Sequence, residues 1–179
     1  MPVSAFDFRS ALSRFPSGVT VVTTRDSSGR LHGLTVSAFC SVSLEPPLAL
    51  ICIEKATASH YAFVETGIFA VNVLSAGQQT LSERFALPFD DKFDNVEFEV
   101  SKLGVPLIAG CIANLECRVT QAYEGGDHTI FVGQVESSRI EHGEPLVYFR
   151  SDYRTLSGQG DHRPSAGVNI SKRSSSERE

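Results

Sequence analysis

Short apolar runs, each bounded by turn-forming residues such as Gly, Pro, Asp or Ser, recur along most of this chain. They include GVTVVTT from Gly18 to Thr24, LHGLTVSA from Leu31 to Ala38, LALICI from Leu48 to Ile53 and IFAVNVL from Ile68 to Leu74. Runs rich in β-branched and aromatic residues between turn signals predict β-strands. The whole chain offers about seven or more such runs, which predicts a mainly β fold, an antiparallel barrel or sandwich.

The runs also predict turns and burial. RDSSGR, between the first two runs, has turn chemistry and predicts a hairpin. The run from Leu48 to Ile53 is apolar at every position, which predicts a strand buried on both faces. Further strands are predicted at Val96 to Lys102, Cys111 to Gln121, His128 to Ile140 and Pro145 to Phe149. In the second of these we expect Leu115, Cys117 and Val119 to face inward and Glu116, Arg118 and Thr120 to face solvent.

Two or three short helices are expected between the strands. The apolar spacing from Phe6 to Phe15 predicts a helix that ends before Pro16. The segment from Thr57 to Gly67 has helical spacing followed by a glycine stop. Ser75 begins SAGQ, a capping-box pattern, which predicts a third helix running to about Arg84.

Length and charge limit the classes of protein to consider. The chain has 179 residues, 41% hydrophobic and 21% charged, which suits one globular domain, expected over residues 1–156. Residues 157–179 are polar and rich in Gly and Ser, which predicts a disordered tail. The net charge of −5 implies no basic face, so nucleic acid is not an expected partner.

No apolar run approaches the length of a membrane span, and the N-terminus lacks a signal-peptide pattern, so we expect a cytoplasmic protein without a membrane partner. The four cysteines form no C-x-x-C pair and have no His at ligand spacing, so a metal site is not expected. Cys40, Cys52 and Cys117 lie in apolar runs, where free cysteines usually serve as small buried hydrophobic residues. Disulfides are not expected.

The stretch from Gly33 to Ser59 carries hydroxyl side chains where a buried strand would prefer Val or Ile. They are Thr35, Ser37, Ser41, Ser43 and Thr57, and Lys55 adds a cation. Hydroxyl donors and a cation suit a phosphate group. The alternative is a set of edge-strand serines that face solvent.

Seven segments form a series along the chain. They are FPSGVTVVTT, GLTVSAFCSVSLEPPLALICI, FAVNVLS, SERFA, DKFDNVEFEV, GDHTIFVGQV and PLVYFRSDYRTL. Together and in this order they resemble the short-chain flavin reductase family, the NAD(P)H-dependent reductase components of two-component flavin monooxygenases. The resemblance covers residues 6–156. It implies an FMN-binding split β-barrel that works as a homodimer.

The resemblance also implies a flavin site. It places the isoalloxazine and ribityl chain along Leu34, Thr35, Val36, Ser37 and Ala38, with Cys40 and Ser41 adjacent. It places the phosphate, and the extension of FAD in members that hold FAD, near Lys55, Ala56, Thr57, Ser59, Tyr61 and Ala62, with Arg84 as a further phosphate contact. It places His128 against the nicotinamide, and Tyr148, Phe149, Arg150 and Tyr153 in the lining of the same pocket.

Three of these residues also have ordinary structural explanations. Arg84 lies near a predicted helix end, where a cation is favourable. His128 follows a turn and begins a strand, where an exposed histidine is common. Tyr153 is expected to pack as well as to screen the site, and the alternative is an amphipathic cap on the rim of the barrel.

The function implied is an NAD(P)H:flavin oxidoreductase. It transfers hydride from NADH or NADPH to FMN or FAD, and the reduced flavin diffuses to a partner monooxygenase. The cofactors carry this chemistry, so no protein nucleophile is expected, and backbone N–H groups from Val36 to Ala38 are candidates to stabilise the reduced pyrimidine edge. The alternative is a non-catalytic FMN-binding electron-transfer or ligand-binding barrel. His128 and the segment from Tyr148 to Tyr153 favour the enzyme.

Overall fold

A computed structural model describes residues 3–88 and 91–156, so the predicted tail at 157–179 lies outside the described residues. The described chain is mainly β with three helices, α1 (Ala5–Leu12), α2 (His60–Thr66) and α3 (Gln79–Ala86), the last preceded by a 3-10 turn at Ala76–Gln78. The strands are β1 (Ser17–Gly18), β2 (Thr20–Arg25), β3 (Leu31–Val36), β4 (Phe39–Leu44), β5 (Pro47–Glu54), β6 (Ile68–Val73), β7 (Phe98–Val100), β8 (Pro106–Ile108), β9 (Ala113–Gly125), β10 (His128–Ile140), β11 (Val147–Phe149) and β12 (Asp152–Arg154). No helix in the described ranges is long and apolar enough to cross a membrane.

Seven strands form one antiparallel sheet in the order β3-β2-β6-β9-β10-β5-β4. β6 lies inside this sheet, and the strand predicted from Ile68 to Leu74 is confirmed. Its Phe69 and Val71 pack in one core cluster, and its Ile68 and Ala70 pack in another. A small sheet of β1, β11 and β12 and the hairpin of β7 and β8 complete the fold.

The two end strands of the sheet, β3 and β4, are joined by only Ser37 and Ala38. A connection this short spans on the order of 10 Å. The N–H of Cys52, on β5, also donates to the Ala38 carbonyl at 3.1 Å. Opposite ends of the sheet therefore meet at this point, and the sheet is strongly curved.

The predicted hairpin of β2 and β3 is confirmed, with pairing from Thr20↔Val36 to Arg25↔Leu31. Asp26 closes its turn, since its backbone N–H donates to the Arg30 carbonyl at 2.9 Å. β3 ends at Val36 rather than at the predicted Ala38, because the next two residues make the crossing to β4.

The core lies between the curved sheet and the helices. Phe63 of α2 packs against Phe131 of β10, with ring centroids 6.1 Å apart, and both are at most 1% exposed. Phe85 of α3 is fully buried in a second cluster with Leu74 and Leu146. Burying side chains of this size stabilises the fold by about 1.5–3 kcal/mol each.

The prediction that Leu48 to Ile53 is buried on both faces is wrong. Burial alternates along β5: Ala49, Ile51 and Ile53 are buried, while the residues between them are only half-buried. The reason is that one face of β5 contributes to the main core cluster and the other does not.

The alternation of β9 predicted that Glu116 faces solvent, and this prediction is also wrong. Glu116 is 7% exposed, and its Oε2 accepts the backbone N–H of Leu103 at 3.5 Å. The segment from Leu103 to Leu107 packs on Ile68 and Ala70 and covers this part of the sheet. Arg118 and Thr120 are exposed, as predicted.

The helix predicted before Pro16 is confirmed as α1, and Ser4 accepts the N–H of Asp7 at 3.1 Å, but within the described chain this helix buries none of its residues. Phe6 and Phe15 are 79% and 77% exposed. Cys40 is exposed on β4, so the expectation that it is buried is wrong, whereas Cys117 is fully buried.

Candidate active site

A cleft with a volume of about 670 Å³ lies along β3. Its walls come from β3, the loop after β5, the first turn of α2, the end of α3 and the start of β10. Ligand cavities in proteins usually have volumes of about 300–1,000 Å³, so this cleft is large enough for a nucleotide. Ten of the predicted site residues line it: Leu34, Thr35, Val36, Ser37, Ala38, Ala56, Thr57, Ser59, Tyr61 and His128.

β3 is the end strand of the sheet, so one of its edges is not paired by a strand of the described chain. An edge strand presents alternate N–H and C=O groups that are free for other partners. The cleft therefore has a row of backbone donors and acceptors along Leu31–Val36, suited to the polar rim of a planar ring.

Ser59 gives the most direct sign of a ligand in this cleft. The residue is 7% exposed, yet its Oγ has no hydrogen-bond partner in the described chain. A buried hydroxyl without a partner costs about 1–3 kcal/mol. Because Ser59 lines the cleft, a ligand acceptor there would satisfy it.

The start of β10 brings a histidine–carboxylate pair to the cleft. His128 is half-buried, and its Nδ1 lies 2.7 Å from Oδ1 of Asp127. This contact lowers the pKa of Asp127, which keeps that carboxyl ionised near neutral pH. When Nδ1 donates to the carboxylate, the ring orientation is fixed and Nε2 is left for a ligand.

Nine predicted site residues do not line the cleft. Lys55 Nζ donates to the Glu124 carboxylate and, at 2.8 Å, to the Gly126 carbonyl, so it ties down the turn between β9 and β10. Arg84 donates to the Asp94 carbonyl and borders a separate depression beside Glu97. The others are Cys40, Ser41, Ala62, Tyr148, Phe149, Arg150 and Tyr153. The roles predicted for these nine toward a cofactor stay predictions.

Tyr153 is connected to the cleft through α3. Its hydroxyl lies 2.9 Å from Ser82 Oγ, and the Ser82 carbonyl accepts the Thr35 hydroxyl at 2.6 Å. Tyr148 packs edge-on against Tyr153, with ring centroids 5.2 Å apart. The C-terminal strands thus support the wall that contains Thr35.

Sequence reasoning missed the cations of the cleft, Lys92 and Arg30. Lys92 Nζ donates to the carbonyls of Phe85 and Gly33 at 3.0 and 3.2 Å, and partial burial lowers its pKa. The available signal was the position of Lys92 in DKFDN, among the segments that carried the family resemblance, where it follows α3. Among the described residues of the lining, these two cations stand against one carboxylate, Glu54, in a chain that is acidic as a whole.

Comparison with known proteins shows which family this chain belongs to. The model of the "Flavin reductase like domain" matches residues 12–157. The chain belongs to this family. The resemblance to flavin reductases that the sequence motifs indicated is therefore confirmed over nearly all of the described residues.

Individual members of the flavin reductase-like family are closely similar. A flavin reductase (NADH) from Kitasatospora aureofaciens is 45% identical over 163 residues, which cover 89% of this chain and 85% of the relative. HsaB from Rhodococcus jostii (strain RHA1), a reductase subunit of a flavin-dependent monooxygenase, is 40% identical over 147 residues, covering 82% and 75%. The solved structure of the NADH:FAD oxidoreductase SgcE6 from Streptomyces globisporus C-1027 gives a TM-score of 0.83 at 40% identity and covers 88% of this chain and 96% of that one.

Proposed function

We propose that this protein is an NADH-dependent flavin reductase that releases reduced flavin to a partner monooxygenase. The observation that carries the proposal is the shared cleft: His128, the unpaired hydroxyl of Ser59 and the free edge of β3 all face one cavity. The names of the similar family members support this function rather than the electron-carrier alternative, which has no use for a nicotinamide site.

The reaction takes NADH, a flavin and one proton to NAD⁺ and dihydroflavin. A hydride passes from the nicotinamide to the flavin, and the remaining proton comes from solvent. Protein groups contribute by holding two rings in contact, since bringing reactants together supplies much of the rate enhancement in such transfers. The backbone groups of β3 and Ser37 hold the polar edge of the flavin, and His128 orients the nicotinamide.

The phosphate of the flavin is assigned to Thr57 and Ser59. Hydroxyl groups satisfy phosphate oxygens well, and the Ser59 hydroxyl has no partner in the described chain. Lys92 adds a partly desolvated positive charge to the cleft, where attraction to an anionic ligand is stronger than at a fully exposed surface.

We assign the curved sheet to the split β-barrel architecture. The support is the two-residue connection between β3 and β4, which draws together the ends of a seven-stranded sheet. The cleft begins at this seam, where Ser37 and Ala38 form part of its lining. The four cysteines are free thiols, the usual state in the reducing cytoplasm, where we place the protein.

We expect wild-type protein to oxidise NADH only when a flavin is added, with a rate that saturates in flavin concentration. Following the absorbance of NADH and of NADPH with FMN, FAD and riboflavin added in turn would test this expectation. The same assay would give the specificity for the nicotinamide and for the flavin. Bound flavin with no oxidation of either nicotinamide would contradict the reductase and support the carrier.

A homodimer is the working unit we assign to this chain, through exposed apolar side chains of α1 and of Phe15, which follows the helix. Phe6, Phe8, Leu12 and Phe15 are each more than half exposed, and an apolar surface of this kind usually marks an interface. Light scattering after gel filtration should give twice the chain mass. The double variant Phe6→Ser and Phe15→Ser should shift the protein to monomer, whereas Leu156→Ser, another exposed apolar residue, should not. A monomeric wild type would contradict the assignment.

A further inference from the structure

Glu54 is the one carboxylate among the described residues that line the cleft, and no role in binding flavin or nicotinamide has been assigned to it. It is the last residue of β5 and lies where β5 pairs with the start of β10. Within the described chain its carboxylate has no hydrogen bond or ion pair. This negative charge is therefore available to a ligand in the cleft.

Glu54 is the direct neighbour of His128 across the sheet. The N–H of Lys55 donates to the Asp127 carbonyl at 2.9 Å. Hydrogen-bonded and non-hydrogen-bonded pairs alternate along an antiparallel ladder, so Glu54 and His128 form a non-hydrogen-bonded pair. The Cα atoms of such a pair lie about 4.5 Å apart, and both side chains leave the same face of the sheet. Glu54 therefore lies in the cleft beside the histidine that is assigned to the nicotinamide.

The charged side chains next to this pair already have partners. The Lys55 ammonium donates to the Glu124 carboxylate and to a backbone carbonyl in the β9–β10 turn. The Asp127 carboxylate holds Nδ1 of His128 at 2.7 Å. Neither of these groups neutralises Glu54, so its charge acts on whatever ring lies beside His128.

Another wall of the cleft, formed by β3 and α3, carries a positive charge. Lys92 Nζ donates to the carbonyls of Gly33 on β3 and Phe85 on α3, and both acceptors are uncharged. The edge of β3 is the place assigned to the flavin. The cleft thus has a cation at its flavin side and a carboxylate at its nicotinamide side.

Hydride transfer from NADH to a flavin separates charge in the same direction. A C–H bond of the dihydronicotinamide breaks, an N–H bond forms on the flavin, and two electrons pass with the hydrogen. The neutral dihydronicotinamide becomes a cationic ring, and the flavin gains negative charge until it takes up a proton. Fixed charges that face the opposite charge of the transition state lower the barrier, because they need no reorganisation during the reaction.

We propose that Glu54 is a further catalytic residue, whose carboxylate lies against the nicotinamide and stabilises the positive charge that develops on this ring as the hydride leaves. The proposal rests on the proposed function and deepens it. Glu54 contributes little to the binding of NADH, whose nicotinamide ring is neutral, and more to the transition state and to NAD⁺. Contacts that are stronger in the transition state than in the ground state accelerate the chemical step.

The test is stopped-flow reduction of FMN and of FAD by NADH, followed by flavin absorbance, with wild type and two variants. Glu54→Gln keeps the size of the side chain but removes its charge. The limiting rate of flavin reduction should fall about tenfold, while the Kd for NADH stays within about twofold. The inhibition constant for NAD⁺ should rise by about the same factor as the rate falls. Glu54→Asp keeps the charge and should lose less of the rate than Glu54→Gln.

Glu141→Gln is the matched control, because Glu141 is also exposed but does not line the cleft. It should keep the wild-type rate and the wild-type affinities for NADH and NAD⁺. The Glu54 variants keep the fold, since the side chain is exposed and has no hydrogen-bond partner within the described chain. A change in rate therefore reports on the reaction and not on unfolding.

An unchanged limiting rate in Glu54→Gln would overturn the proposal. Equal weakening of NADH and NAD⁺ would also overturn it, because Glu54 would then only bind the dinucleotide. A gain of activity with NADPH at an unchanged rate with NADH would contradict it as well, since the carboxylate would then exclude a 2′-phosphate. Failure of the reductase function is read separately, as wild type that binds flavin but reduces none of it with NADH.

Discussion

His128→Ala should lower kcat/KM for NADH by about a hundredfold, the lower end of the range for a positioned acid–base or orienting group. His128 is the ionisable side chain that β10 delivers to the cleft, and Asp127 holds its Nδ1 at 2.7 Å. Removing the ring takes away a donor of fixed orientation from the place assigned to the nicotinamide. The Kd for flavin, measured without NADH, should stay within about twofold.

Two further variants test the contribution of Asp127 and show whether the effect is specific to His128. Asp127→Asn keeps an acceptor for Nδ1 but removes the charge, so we expect a smaller loss and a changed pH profile of kcat/KM. The control His142→Ala removes an exposed histidine outside the cleft and should be indistinguishable from wild type. If His128→Ala left both kcat and the KM for NADH at wild-type values, His128 would have no part in the reaction.

The sequence predicted the strands and the hydroxyl-rich wall of the cleft because both depend on local patterns. Alternation and β-branched runs identify strands, and Thr35, Ser37, Thr57 and Ser59 line the cleft as the resemblance implied. The burial of each face of a strand, in contrast, depends on which other elements pack over it. The predictions for β5 and Glu116 were therefore wrong, since the loop at Leu103 covers Glu116, whereas the described residues leave the second face of β5 only half-buried.

The positions of the lysine side chains at the site also depend on distant parts of the chain. Lys55 was predicted from its neighbours in sequence, but the β9–β10 turn, which lies far along the chain, takes up its ammonium. Lys92 follows α3 in an apparently ordinary charged loop and reaches the cleft only because α3 packs against β3. Neither contact can be read from the neighbouring residues, although the segment that holds Lys92 was among those that carried the family resemblance.

The cleft also depends on a residue that has no side chain. Gly33 lies in β3 between the cleft and α3, and a Cβ built on it would lie 2.5 Å from Phe85 Cε1 and 3.3 Å from Phe93 Cζ. Phe85 is fully buried and packs edge-on against Phe93, with ring centroids 5.1 Å apart. The two rings cannot move away without disturbing the core cluster under α3.

Gly33→Val should therefore lower the free energy of unfolding by about 1–3 kcal/mol, the usual cost of overpacking, although valine is a better strand former than glycine. It should also raise the Kd for flavin at least about tenfold, because Phe85, Phe93 and the Gly33 carbonyl that accepts from Lys92 all lie at the cleft. Urea unfolding and flavin dialysis would measure both changes.

Gly18→Val is the matched control for this substitution. Gly18 also lies in a strand, but no atom of the described chain comes within 4 Å of a Cβ built there, apart from its chain neighbours. Strand propensity acts alike at both positions, so the difference between the two variants isolates the contact with Phe85. Equal stability and equal flavin affinity in the two would mean that α3 moves away from β3 without cost, and that the close packing at Gly33 does not shape the cleft.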